Sequence, residues 1–128
     1  MNQYQILIND CLIGTKHVET AALLLAKDAS ITAASPRCQI SPQQAQLFTD
    51  SFKYTSTTRE KGLHYQDRQY TCVRADHSSI YCKSDGHGLI IVKTLLYVLV
   101  ATYNDNMYPS VCVEAVEKLA EYLREKGK

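Results

Sequence analysis

Residues Leu89 to Tyr103 form a nearly unbroken apolar run, interrupted at Lys93 and Thr94, and this run limits what the chain can fold into. It is too short and too β-branched for a membrane helix, which needs about 20 consecutive apolar residues. Two buried strands, Leu89 to Val92 and Leu95 to Tyr103, account for it better. The 128 residues suffice for one domain, 1–128, with one proper core.

The segments before the run alternate between helical and strand texture. Asn2 to Ile13 reads as a helix, with Tyr4, Ile8 and Leu12 on one face and Gly14 as a stop. Ala21 to Ala26 and Ser30 to Ala34 read as a short hairpin turning near Asp28. Ser41-Pro42-Gln43-Gln44 opens a second helix: Ser41 caps it, Pro42 suits the first turn, and Gln44 completes a capping box. Ala45, Phe48 and Phe52 line its apolar face. Lys53 to Lys61, rich in threonine and serine, reads as a loop.

From Leu63 the texture is strand. Tyr70-Thr71-Cys72-Val73 and Ser79-Ile80-Tyr81-Cys82 flank the polar turn Ala75-Asp76-His77-Ser78, and Ser84-Asp85-Gly86-His87-Gly88 forms the next turn. Pro109 opens a last helix with the stripe Val113, Val116, Leu119, Ala120 and Leu123. Glu114 and Lys118 sit four apart on its wet side. The order is helix, two short strands, helix, about five strands, helix. An antiparallel sheet with the terminal helices on one face is the economical α+β arrangement.

Charge and spacing exclude several function classes. The formal net charge is +1, so no basic excess points to nucleic acid. His17, His64, His77 and His87 show no metal-ligand spacing with cysteine, and no glycine-rich loop follows a strand. No enzyme, cofactor or metal reading is supported. Residues Met1 to Gly14 lack the basic start and apolar run of a signal peptide. Five cysteines, Cys11, Cys38, Cys72, Cys82 and Cys112, fit a reducing, cytoplasmic compartment. Cys72 and Cys82 lie opposite, or nearly so, if the hairpin turns at Asp76 to Ser78. They read either as a cross-strand disulfide or, by default in cytosol, as small reduced hydrophobes.

Tyrosine is abundant, with nine residues, and tryptophan is absent. Tyr4 and Tyr122 on neighbouring terminal helices fit either of two roles, stacking on proline rings or rimming the core. Arg124, Lys126 and Lys128, with Lys118, make a basic tip suited to acidic lipid headgroups or to the helix C-terminal dipole.

The last third resembles the profilin family. The likeness rests on Ala101-Thr102-Tyr103-Asn104-Asp105-Asn106-Met107-Tyr108-Pro109-Ser110, on Cys112 and on Val116 to Leu123. Gly88 to Thr94, Gly62-Leu63-His64 and Ser30 to Ala33 extend it over nearly the whole chain. Gly14-Thr15-Lys16-His17-Val18, Cys72-Val73-Arg74-Ala75-Asp76 and Met107 to Cys112 are similar to a divergent, testis-type vertebrate branch of that family.

The resemblance implies a central antiparallel sheet with the N- and C-terminal helices on one face and a further helix on the other. It implies a non-enzymatic protein of the cytoplasm and cytoskeleton, linked to germ-cell cytoskeletal organisation. Conventional profilins bind monomeric actin, proline-rich segments and phosphoinositides. At the polyproline groove this chain carries Tyr4, Leu7, Thr32 and Lys128 at positions that are aromatic in the family, and keeps Tyr4 and Tyr122 as aromatics. Losing stacking platforms worth about 1 kcal/mol each makes proline-rich partners unfavourable. At the actin face the family's paired lysines become Val92-Lys93, its turn glycine Ser110 and its helix asparagine Val113, beside Glu117 and Lys118. Actin binding is expected to be weak or lost. The family's basic strand carries Tyr81 and Ser84 beside a retained Lys83. Arg59, Lys61, Arg68, Arg74, Arg124 and Lys126 are further candidates for a relocated acidic-phospholipid patch, and simple solvated charge fits them equally.

Overall fold

The computed structural model describes residues 2–128. The elements are α1 (Gln3–Cys11), β1 (Thr20–Leu25), β2 (Ile31–Ala34), α2 (Pro42–Asp50), α3 (Thr55–Lys61), β3 (Leu63–Tyr65), β4 (Arg68–Ala75), β5 (Ser79–Ser84), β6 (His87–Lys93), β7 (Tyr97–Tyr103) and α4 (Pro109–Glu125). The strands form one antiparallel sheet in the order β2-β1-β7-β6-β5-β4-β3.

The apolar run becomes β6 and β7, in the middle of that sheet. Every residue of β7 is buried, as are Gly88 to Val92 of β6, because both faces are covered. On one face α1 and α4 bury Ile8, Leu12, Cys112, Val116 and Leu123 against Leu23, Ile90, Val92 and Leu99. On the other, Ala45 and Phe48 of α2, with Phe52 just past its end, meet Leu24, Ile80, Leu89, Ile91 and Val100. The pairing of β1 with β7 explains why the terminal helices share a face. α1 feeds the first of these strands and α4 leaves the second, so both ends of the chain cross one side of the sheet.

Local signals fix most boundaries. The Ser41 hydroxyl accepts from the Gln44 N–H at 3.1 Å, a cap worth about 1 kcal/mol. No bond from the Ser41 N–H to the Gln44 side-chain oxygen, the reciprocal half of the capping box, occurs among the described residues, and the Gln44 amide nitrogen is buried without a partner. α1 ends at Cys11 and passes into a 3-10 turn, Ile13–Thr15, closed by Lys16 at φ 70°. Tightening the last turn lets Leu12 drop fully into the core. Gly88 is required by packing, since a Cβ there would stand 1.9 Å from the Tyr103 ring.

The segment read as a loop, Lys53 to Lys61, is instead mostly helix α3. Its polar composition hides two long-range anchors. The buried Thr58 hydroxyl donates to the Ser51 carbonyl at 3.1 Å, and Arg59 Nη1 donates to the Ala75 carbonyl at 2.6 Å. The strand expected from Leu95 starts only at Tyr97, because Leu95 and Leu96 form the exposed β6–β7 turn. The turn before β6 is tighter than expected, with His87 and Gly88 already paired to Ser84 and Lys83. In α4 the fully buried place belongs to Cys112, whereas Val113 is half-buried at the edge of the stripe.

Candidate functional site

Two surfaces converge on α4. The first is a groove between α1 and α4. Its larger part, about 600 Å³, is lined by Leu7, Cys11, Val111, Ala115, Leu119 and Tyr122. A smaller continuation of about 250 Å³ shares Leu7 and Tyr122 and adds Tyr4, Lys126 and Lys128.

The polar end of this groove is closed on itself. Lys128 Nζ donates to the Tyr4 hydroxyl at 2.9 Å and stands 5.1 Å from the centre of the Tyr4 ring. Lys126 Nζ stands 5.5 Å from the centre of the Tyr122 ring. The backbone of Lys128 is held as well: its N–H donates to the Leu123 carbonyl at 2.9 Å, and its carbonyl accepts from Thr94 Oγ1 at 2.9 Å. Tyr4 packs against Tyr97 at 5.2 Å between ring centroids. The hydrogen bond from Lys128 lowers the Tyr4 phenol pKa below its ordinary value. Hydrogen bonding to Tyr4 raises that of Tyr97 to about 12.

Tyr4, Leu7, Tyr122 and Lys128 therefore meet in one groove. Thr32 does not line it. It lies half-buried on edge strand β2, where the Asn2 amide donates to its carbonyl at 3.3 Å. Tyr97, which sequence reading placed only as a strand residue, completes the aromatic set. The signal for it was its position one strand-length from Tyr103.

The second surface lies where β4 and β5 meet α4. Glu117 accepts hydrogen bonds from the Tyr81 hydroxyl and from Ser79 Oγ, the latter at 2.8 Å. Arg74 Nη1 donates to the Tyr81 oxygen at 3.4 Å, and its guanidinium carbon stands 5.0 Å from that ring's centre. The same guanidinium is paired to Asp76 at 2.9 Å. Burial, reinforced by the Glu117 carboxylate, pushes the Tyr81 phenol up to about 12.

The sequence-derived actin-face residues divide accordingly. Val92 is fully buried on the inward side of β6 and presents nothing to a partner, because strand alternation points it beneath α4. Lys93 is half-buried, and its carbonyl accepts from Arg124 Nη2 at 2.8 Å. Ser110 is exposed in the first turn of α4, and Lys118 pairs with Glu114 at 3.2 Å. Sequence reading missed Tyr81 and Ser79 as the partners of Glu117.

The lipid-patch candidates are spread over several elements. Arg59 and Lys61 belong to α3, Arg68 and Arg74 to β4, Lys83 to β5, and Arg124 follows β6 by its bond to Lys93. Arg59 is held on the Ala75 carbonyl and Arg74 on the Asp76 carboxylate. Among the described residues no cluster of three or more metal-ligating side chains occurs, and no helix is long and apolar enough to cross a membrane.

Comparison with known proteins agrees with this architecture. The family model described as Profilin matches residues 2–128. Profilin-4 of Bos taurus is 48% identical over 128 residues, covering 99% of each chain. Acanthamoeba castellanii profilin IB superposes with a TM-score of 0.92 at 33% identity, covering 98% of this chain and 100% of the other. Mouse profilin IIa, solved in complex with a double repeat from the FH1 domain of mDia1, superposes at 0.78 with 17% identity, covering 99% and 100%, and that likeness speaks to the fold.

Proposed function

The chain belongs to the profilin family, and we propose that it is a non-enzymatic, cytoskeleton-associated binding module with weakened affinity for monomeric actin and for proline-rich segments. One observation carries this reading: on both surfaces the polar groups that would meet a partner are already engaged within the chain. Lys128 covers Tyr4 in the groove, and Glu117 is taken by Tyr81 and Ser79 on the α4–β5 face. A partner must break these contacts before making its own, and each hydrogen bond to a charged group is worth about 1.5–3 kcal/mol. The resemblance of Gly14 to Val18 and of Met107 to Cys112 to the testis-type branch is what supports a role in germ-cell cytoskeletal organisation.

Titration with monomeric actin, with a conventional profilin as control, tests the reading. Little or no binding at concentrations that saturate the control is expected. Binding of equal strength would replace it with an ordinary actin regulator.

A second reading, peripheral binding to acidic phospholipids, has its own support at the β6–β7 turn. Leu95 and Leu96 are 71% and 45% exposed there. Lys93 and Arg124 are joined beside them, and the Lys128 carbonyl accepts from the Leu96 N–H. The Ala26 N–H donates to the Leu96 carbonyl, bringing Lys27 and the 47% exposed Ile31 to the same end. Apolar side chains ringed by cations suit the interface of an anionic bilayer. Co-sedimentation with anionic vesicles, weakened both by salt and by Leu95→Asp, is the expected result. Binding indifferent to both changes would remove this reading.

A further inference from the structure

The sheet also sets two thiols face to face. Register pairs Cys72 of β4 directly with Cys82 of β5. Residues directly opposite in antiparallel strands have Cα atoms about 4.5–5.5 Å apart, within the ~4.4–6.8 Å that a disulfide spans. Both side chains belong to the α2 side of the sheet, Cys82 inside that cluster and Cys72 packed against it. The two thiols are near enough to shift each other's pKa, Cys82 lowering that of Cys72 and Cys72 raising that of Cys82.

Their surroundings differ in a useful way. Cys82 is fully enclosed, whereas Cys72 is half-buried and reachable from solvent. The Arg59 guanidinium, anchored on the Ala75 carbonyl, brings positive charge near Cys72 and favours its thiolate. No other cysteine is so placed: Cys112 is buried on the inward face of α4, Cys11 is exposed on α1, and Cys38 neighbours Tyr65.

We propose that Cys72 and Cys82 form a reversible oxidation site, in which Cys72 reacts with a hydroperoxide and Cys82 closes a cross-strand disulfide. The Cys72 thiolate attacks a peroxide oxygen and breaks the O–O bond. The leaving alkoxide takes up the thiol's proton and departs as alcohol, or as water from hydrogen peroxide, leaving a sulfenic acid. The Cys82 sulfur then attacks that sulfenic sulfur: the S–S bond forms, the S–O bond breaks, and hydroxide leaves with the Cys82 proton as water. The two thiols together lose two protons and two electrons, and one hydroperoxide is reduced to alcohol and water. Burial holds both thiol pKa values above the ordinary value, Cys82 at about 12.

The position links oxidation to the α4–β5 surface. The Cys72 thiol donates to the Arg74 carbonyl at 3.3 Å, across the bulge that separates Cys72 from Arg74. Arg74 in turn lies over Tyr81, the partner of Glu117. A disulfide removes that thiol donor and staples β4 to β5 beside this contact.

The test uses the full chain, reduced, treated with hydrogen peroxide, alkylated and digested with trypsin. Cleavage after Arg68, Arg74 and Lys83 leaves the two cysteines in separate peptides, residues 69–74 and 75–83. The expected product is those two peptides joined, in a protein whose Tm has risen by several degrees and returns on dithiol reduction. Cys72→Ser is expected to abolish the joined product, and Cys82→Ala to leave a sulfenic acid on Cys72 that a dimedone probe captures. Because the wild-type digest needs no variant, failure of either mutant to fold leaves the test standing. Full alkylation of Cys72 and Cys82 while Cys11 is oxidised, or Cys72 joined to a different cysteine, overturns the proposal.

Discussion

Lys128 reaches back across 124 residues to donate a hydrogen bond to Tyr4, and its ammonium covers the face of that ring. This contact turns what would be an open aromatic shelf into a closed, positively charged corner.

Replacing Lys128 by methionine keeps the length of the side chain and removes the ammonium. The Tyr4 phenol, now held below its ordinary pKa by that hydrogen bond, is expected to titrate higher. Ultraviolet titration of the variant against the parent reads the shift directly. Affinity for a proline-rich peptide is expected to rise several-fold as the ring is uncovered, and an unchanged affinity would show that Tyr4 and Tyr122 are too few to form a platform.

Glu117 holds Tyr81 and Ser79 together from α4. Glu117→Ala leaves both hydroxyls without their carboxylate and is expected to cost about 1–3 kcal/mol in urea unfolding. The Tyr81 phenol is expected to fall from about 12 toward its ordinary value in the same variant.

Alkaline stability follows from the same phenol. Its folded pKa is raised from 10.0 to about 12, so the neutral form is favoured in the native state. The resulting stability is complete below the unfolded pKa and is lost as pH rises through the window from 10.0 to about 12. Tyr97 acts in the same direction over the same range. Tyr81→Phe is expected to flatten this part of the stability–pH curve, measured by denaturant melts at stepped pH.

Gly88→Ala puts a methyl group 1.9 Å from the Tyr103 ring in the covered middle of the sheet. Overpacking of this kind costs about 1–3 kcal/mol, and a corresponding drop in the denaturant midpoint is expected. Tyr103→Leu in the alanine background is expected to recover part of the loss by making room.

Ser41→Ala removes the hydroxyl that accepts from Gln44 N–H. A loss of about 1 kcal/mol is expected. Ser41→Asp is expected to retain most of the stability, because its carboxylate accepts the same bond.

Much of the fold could be read along the chain. The run around Lys93 and Thr94 gave β6 and β7, Ser41 and Pro42 opened α2, and the stripe through Val116 and Leu123 gave α4. α3 escaped because its stability comes from Thr58 and Arg59 reaching Ser51 and Ala75, contacts that leave no local periodicity. Tyr4, Leu7, Tyr122 and Lys128 share one groove, while Thr32 lies outside its lining and Val92 is fully buried, since a residue's own type does not say which way its strand faces.

What the sequence determined by itself is the set of elements and the faces they bury, because helical and strand periods of apolar residues act over a few neighbours. Only the tertiary structure decided the distant partners: Lys128 with Tyr4, and Glu117 with Tyr81 across 36 residues. Those pairings depend on strand order and register, which arise when distant segments compete to bury the same surface, and no local pattern encodes that outcome.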